Sequence, residues 1–288
     1  MKSRKTGTLR VAGGLLVLVM ITSCFVGSTF AKYTVGGTGS DTARVAKFGV
    51  EVSVSGEAFK TRYDTDDTST SITTTVAASN GRDKLAAPGT RDSNAVTFSI
   101  TGTPEVAVQV QVSMGNVQDI MLKKGYYRDY TKAPYDGTFR MLLDYYPIAF
   151  YLYKGEEAYQ SGSALLAGTL ADINAYLRSA CVSGSYAANT NLGAALSSTG
   201  GFTVPSYGHE ANASTDTTGV YILAWHWEHE NLHDDAADTL LGNLAADAET
   251  YKAGGKWDAG SNAFVDIADE DYNLNASFDL SITVTQID

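Results

Sequence analysis

Residues 105–113 read EVAVQVQVS. Val106, Val108, Val110 and Val112 fall on one side of an extended chain and Ala107, Gln109 and Gln111 on the other, the period-two pattern of a half-buried strand. The same rhythm recurs outward from this stretch. Upstream, Ala46, Phe48, Val50, Val52 and Val54 alternate with Lys47, Gly49, Glu51 and Ser53, which predicts a half-buried strand with one apolar face, and alternation resumes over 95–100 after the Pro88-Gly89 turn. Downstream, YYPIAFYLY (145–153) predicts a strand that Pro147 places near an edge or a strand start. Residues 219–230 set Tyr221, Leu223, Trp225 and Trp227 on one face. ASFDLSITVTQI (276–287) predicts a last strand with Phe278, Leu280, Ile282 and Val284 facing in.

The pattern changes period in two places. Across 163–181, Leu165, Leu166, Leu170, Ile173, Ala175, Tyr176 and Leu177 recur at helical spacing, predicting a helix from about Leu170 to Arg178 with Thr169 or Ser163 as its cap. Residues 236–251 predict a second helix. Residues 56–84 are polar and rich in Asp, Thr and Ser, a long loop or a fringe of short edge strands. Residues 182–219, almost uncharged, predict an excursion away from the core. At least six strands with long returns give an all-β fold: a jelly-roll-like antiparallel β-sandwich with short helical insertions, one domain over 42–288 interrupted by insertions at about 56–84 and 163–219.

The N-terminal stretch has a different grammar. Lys2, Arg4, Lys5 and Arg10 precede the apolar run 11–26, and Ser28-Thr29-Phe30-Ala31 supplies small residues at the −3 and −1 positions for cutting between Ala31 and Lys32. This is the layout of a signal peptide, here a helix over 1–31 that meets the membrane only during export. Retention as a transmembrane anchor competes with it, but Gly13-Gly14 and Thr22-Ser23 interrupt the run. Acylation at Cys24 is a further alternative, since ITSC (21–24) fits a loose lipobox. Residues 32–41 then form a glycine-rich joint at the new N-terminus.

Once residues 1–31 are removed, 17 basic residues face 32 acidic ones, a net charge of −15. That surface repels nucleic acid and anionic membranes and suits a secreted protein. Cys181 becomes the only thiol, so no intramolecular disulfide supports the domain. With no motif around it, Cys181 reads as a buried helix-end thiol. No sorting signal or second apolar span follows Ile287, so covalent wall anchoring is not expected.

One motif carries chemistry. His229-Glu230-Asn231-Leu232-His233 is a literal HExxH, which on a helix brings two histidines to zinc and leaves Glu230 to activate water. Here the Trp225 and Trp227 alternation runs straight into it, and residues four apart on a strand lie about 13 Å from each other. The reading is therefore a strand end and loop. A weaker variant has His226, His229 or His233 join Asp234, Asp235 and Asp238 around a weakly bound divalent cation. No other cofactor is expected, and without a P-loop, a GxGxxG after a strand or a GxSxG, catalysis is the minority reading.

The junction FAKYT followed by SDTARVAKFGVEV resembles the class of Gram-positive secreted proteins exported with a SipW-dependent signal peptide, the TasA/camelysin family. LAAPGTRDSNAVTFSITGTPEVAVQV, YYPIAFYLYKG, GTLADINAYL, the WHW strand with DDAADTLLGN, and SITVTQID resemble recurrent blocks of clostridial-type members. The resemblance implies a jelly-roll subunit cut by a dedicated SipW-like type I signal peptidase and placed in the extracellular matrix or on the cell surface. It also implies assembly into biofilm matrix fibres or pilus-like threads with copies of itself or related subunits. The freed N-terminal strand, with Tyr33 and Val35 as its groove-filling side chains, would complete a neighbour's sheet. Camelysin has been classed as a metallopeptidase, so the family leaves room for an enzyme. A monomeric surface adhesin is the third reading.

Overall fold

The computed structural model describes residues 44–64, 71–131, 138–155, 164–196, 202–203, 212, 214–228 and 235–287. The chain divides into two compact units, Met1–Phe48 and Gly49–Asp288. All the regular structure described lies in the second, where every strand pairing is antiparallel. The signal peptide and joint expectations fall outside the described residues.

The larger sheet runs β1 (Val50–Gly56), β4 (Arg91–Gly102), β12 (Val220–Trp227), β9 (Ile148–Lys154), β10 (Leu166–Gly168). Facing it is a three-stranded sheet, β11 (Gly184–Tyr186), β5 (Val108–Gln118), β16 (Ser277–Gln286). Val108, Val110, Val112 and Met114 of β5 share one apolar cluster with Phe98 and Ile100 of β4, Phe150 and Leu152 of β9, and Tyr221, Leu223 and Trp225 of β12. Two β-sheets thus cover one core, the arrangement that half-buried alternating strands demand. Trp225 sits near its centre, its indole donating to the Ala58 carbonyl at 2.6 Å, with Phe59 and Tyr63 packed on the ring.

The central strand is covered on both faces. Tyr221, Leu223, Trp225 and Trp227 face the core as expected, while Ile222 and Ala224 are buried on the other side with Tyr153. That is why 220–225 read as a continuous apolar run rather than a strict alternation.

Helix α1 (Leu170–Arg178) matches its expected span, and Thr169 caps it in a reciprocal capping box with Asp172. Two further amides at its start, of Leu170 and Ala171, donate to the carboxylate of Asp119 at 2.8 and 3.3 Å. The excursion expected over 182–219 is corrected in part. Beyond β11, the short helix α2 (Leu192–Ala195) buries Leu192, and Leu196 follows it into the main core.

A second apolar cluster forms beside the sandwich. Hairpin β2 (Arg62–Asp64) and β3 (Thr74–Ala77) realises the expected fringe of short strands on the first core. The second core gathers β6 (Met121–Leu122), β7 (Gly125–Arg128), β8 (Phe139–Leu142) and helix α3 (Asp235–Ala246) around Leu122, Tyr127, Leu142, Leu240, Leu241 and Leu244. The single helix expected over 236–251 is two: Asp247 breaks it and caps α4 (Ala248–Lys252). β13 (Lys256–Asp258) and β14 (Ala263–Val265) extend a sheet in the order β14-β13-β7-β8, and β15 (Tyr272–Asn273) pairs with β6. The acidic loop before the last strand is ion-paired, Lys256 to Asp271 at 2.5 Å and Lys252 to Asp269.

Candidate functional site

Most of the residues singled out for chemistry or processing lie outside the described residues: Ala31, Lys32, Tyr33, Val35, His229, Glu230, His233 and Asp234. Asp235 is the exposed first residue of α3. Asp238, one turn on, accepts hydrogen bonds from the Tyr145 hydroxyl at 2.8 Å and the Trp227 indole at 3.1 Å. It ties α3 to the sandwich. Among the described residues no group of three or more His, Cys, Asp or Glu side chains is arranged to hold a metal ion. Cys181 is only half-buried, a correction to the buried thiol expected.

The geometry that stands out is an open side of the sandwich. On the opposite side α1 fills the space between β5 and the β9–β10 edge, with Asn174 accepting from the Met114 amide and Ser183 from the Val112 amide. These side chains continue the hydrogen-bonding that short β11 leaves unfinished along β5. Among the described residues nothing comparable flanks β16 or β1. Each is the last strand of its sheet, and among the described residues no strand pairs with its outer edge.

The side chains there record the lack of cover. Cross-strand pairing sets Val52 against Ile100 and Val54 against Phe98, so these valines project toward the core face. Their partners are 0% and 1% exposed, whereas Val52 is 41% and Val54 52% exposed. The half-buried strand expected from Ala46 to Val54 is corrected: it starts at Val50, which alone is half-buried, and the rest is exposed. Alternation was a sound guide to direction but not to whether anything lies opposite. Phe278, Leu280, Ile282 and Val284 of β16 face in and pack on the core, each half-buried.

Glycines at both ends hold β1 to β4. Gly56 and Gly102 take φ of +99° and +114°, and a Cβ there would meet the Ala95 and Gly49 carbonyl oxygens at 2.3 and 2.0 Å.

Two other polar features lie elsewhere. A cleft of about 630 Å³ lined by Lys60, Tyr63, Thr90, Arg91 and Asp92 contains the Lys60–Asp92 ion pair at 2.5 Å. Lys154 on β9 is buried at 2% exposure, and its Nζ has no hydrogen-bond acceptor among the described residues. It lies 5.4 Å from the Tyr221 ring centre. Burial lowers its pKa to about 8, with the Asp216 charge acting in the other direction. Neither feature was read from the sequence, because each joins residues far apart in the chain.

No helix among the described residues is long and apolar enough to cross a membrane. Comparison of the chain with protein-family models, curated proteins and solved structures finds no match.

Proposed function

We infer that this protein is a secreted structural subunit of an extracellular fibre or biofilm matrix, assembled by adding its processed N-terminal strand to the sandwich of a neighbour. The observation that carries this reading is the open side ending in β16 and β1. A ten-residue edge strand with four half-buried apolar side chains, beside exposed Val52 and Val54, is a ready acceptor for an extended segment.

Residues 32–41 fit as the donor. They span about 33 Å when extended, close to the length of β16 at the same rise per residue. Tyr33 and Val35 are the alternate side chains that would sit over the exposed apolar strip. Because donor and acceptor are different surfaces, the contact is head-to-tail and propagates into a filament. The added strand would extend the three-stranded sheet toward the jelly roll that the family resemblance implies. Cleavage after Ala31 by a SipW-like type I signal peptidase, with release outside a Gram-positive cell, frees that donor.

The test is electron microscopy of mature protein beginning at Lys32 against a form beginning at Thr42. Filaments from the first and monomers from the second are expected. Equal filament yields from both would remove the donor-strand reading.

A further inference from the structure

The sheet β14-β13-β7-β8 turns one face to the second core and the other to solvent. Directly paired residues project to the same face, so the register Phe264↔Trp257↔Tyr126↔Met141 draws one row of side chains across all four strands. Phe139, two residues from Met141 on β8, joins it: its ring stacks on Trp257 at 5.0 Å and 4° and meets Tyr126 and Phe264 edge-on. The Arg128 guanidinium lies 5.0 Å from the Phe264 ring centre. The alternate residues Tyr127 and Leu142 point into the core and are buried. The row is thus not needed to close that core, and Tyr126 and Phe139 are each 42% exposed.

The composition of the row narrows what it meets. Aromatics, Met and Arg without Asp, Glu or Lys mark the centre of protein–protein contacts. A sugar site needs several polar groups converging on its hydroxyls, and beside the guanidinium the row offers only the Tyr126 hydroxyl and the Trp257 indole N–H. Charge points to the partner. With 32 acidic and 21 basic residues, two copies of this chain repel over most of their surfaces. A face whose row carries no carboxylate is where two copies approach with least repulsion.

We propose that this aromatic row is a self-association face, on which a second copy docks sheet against sheet about a two-fold axis. Ring then meets ring, as an isologous contact requires. Four short strands cover roughly 200–250 Å² by strand spacing and rise, well below the roughly 800 Å² per partner of a stable dimer. The contact is therefore weak between single molecules and becomes strong only when many copies are aligned. Resting on the strand-addition reading for that alignment, it joins filaments laterally.

The test compares the mature chain with a Phe139→Ser/Trp257→Ser double variant and a milder Tyr126→Ser variant, after circular dichroism and thermal melts establish that each is folded. Sedimentation equilibrium is run on chains beginning at Thr42, which lack the donor strand, and the parent sequence in that form is expected to give monomer and dimer in exchange at high protein concentration. Both variants should weaken the dimer, the double variant by about tenfold or more. In micrographs, parent filaments should lie side by side and variant filaments singly. Unchanged association in the folded variants would overturn the proposal, as would a parent monomeric at millimolar concentration with filaments that never pair. Trp257 fluorescence quenched by a neutral soluble polysaccharide, at protein concentrations showing no dimer, would assign the face to sugar and overturn it too. Failure of filaments to form, with the dimer intact, would count against strand addition and leave this face standing.

Discussion

On one side of the sandwich, α1 lies between β5 and the β9–β10 edge, its first amides capped by Asp119 and Thr169 and its Ile173 and Leu177 fully buried. On the other, β16 and β1 end with apolar side chains partly in water. The same core therefore has a side finished by α1 and a side on which, among the described residues, no further strand pairs. Finishing an edge takes acceptors for its backbone amides as well as apolar cover, and the closed side supplies the first through the side chains of Asn174 and Ser183 and the second through Ile173 and Leu177.

That contrast breaks most readily by mutation of the closed side. Leu177→Ala opens a cavity in a fully buried position and is expected to lower stability by about 2–5 kcal/mol in denaturant melts. A loss below about 1 kcal/mol would mean the closed side is as loosely packed as the open one.

Lys154→Met is expected to act in the opposite direction, stabilising by about 1–3 kcal/mol at pH 7 by removing a buried donor that lacks an acceptor. The sign with pH follows from the lowered pKa. Between about 8 and the ordinary 10.5 the unfolded chain holds the proton that the folded chain has released, so wild-type stability gains from this group as pH rises through that window. The advantage of the variant should shrink from pH 8 to 10.5. Buried Tyr127, Tyr176 and Tyr221, raised by burial, lower stability above about pH 10 in both proteins and cancel in the difference.

A smaller effect is expected from Asp119→Ala, which strips two amide acceptors from the start of α1 and should cost about 0.5–2 kcal/mol. The smallest belongs to the open side. Val54→Ser, at 52% exposure, should change stability by less than about 0.5 kcal/mol while reducing filament yield. A stability loss comparable to that of Leu177→Ala would mean β1 is covered after all, and the two sides would no longer differ.

Much of this architecture was legible in the chain. The valines of β5, the aromatic row of β12 and the apolar spacing of α1 report their own periodicity, and Thr169 announced its cap. What periodicity cannot report is the opposite surface. Val52 and Ile100 carry the same pattern, yet one is exposed and the other buried because only the second has β5 and its neighbours above it. Asp119 caps a helix 51 residues away, a pairing with no local signal. Strands of three or four residues such as β7, β8, β13 and β14 are too short to show a period, which hid the aromatic row. Of the candidate site, the inward face of β16 was legible, Val52 and Val54 read as one face of a half-buried strand although both are exposed, and the HExxH and the Lys32–Asp41 joint lie outside the described residues.

Hydrogen exchange on filaments of the mature chain, against the same protein held monomeric at low concentration, tests the central claim most directly. The outward-facing amides of β16, those not bonded to β5, are expected to gain protection in the filament together with the amides of residues 32–41. Filaments in which those amides still exchange at the monomer rate would contradict that claim.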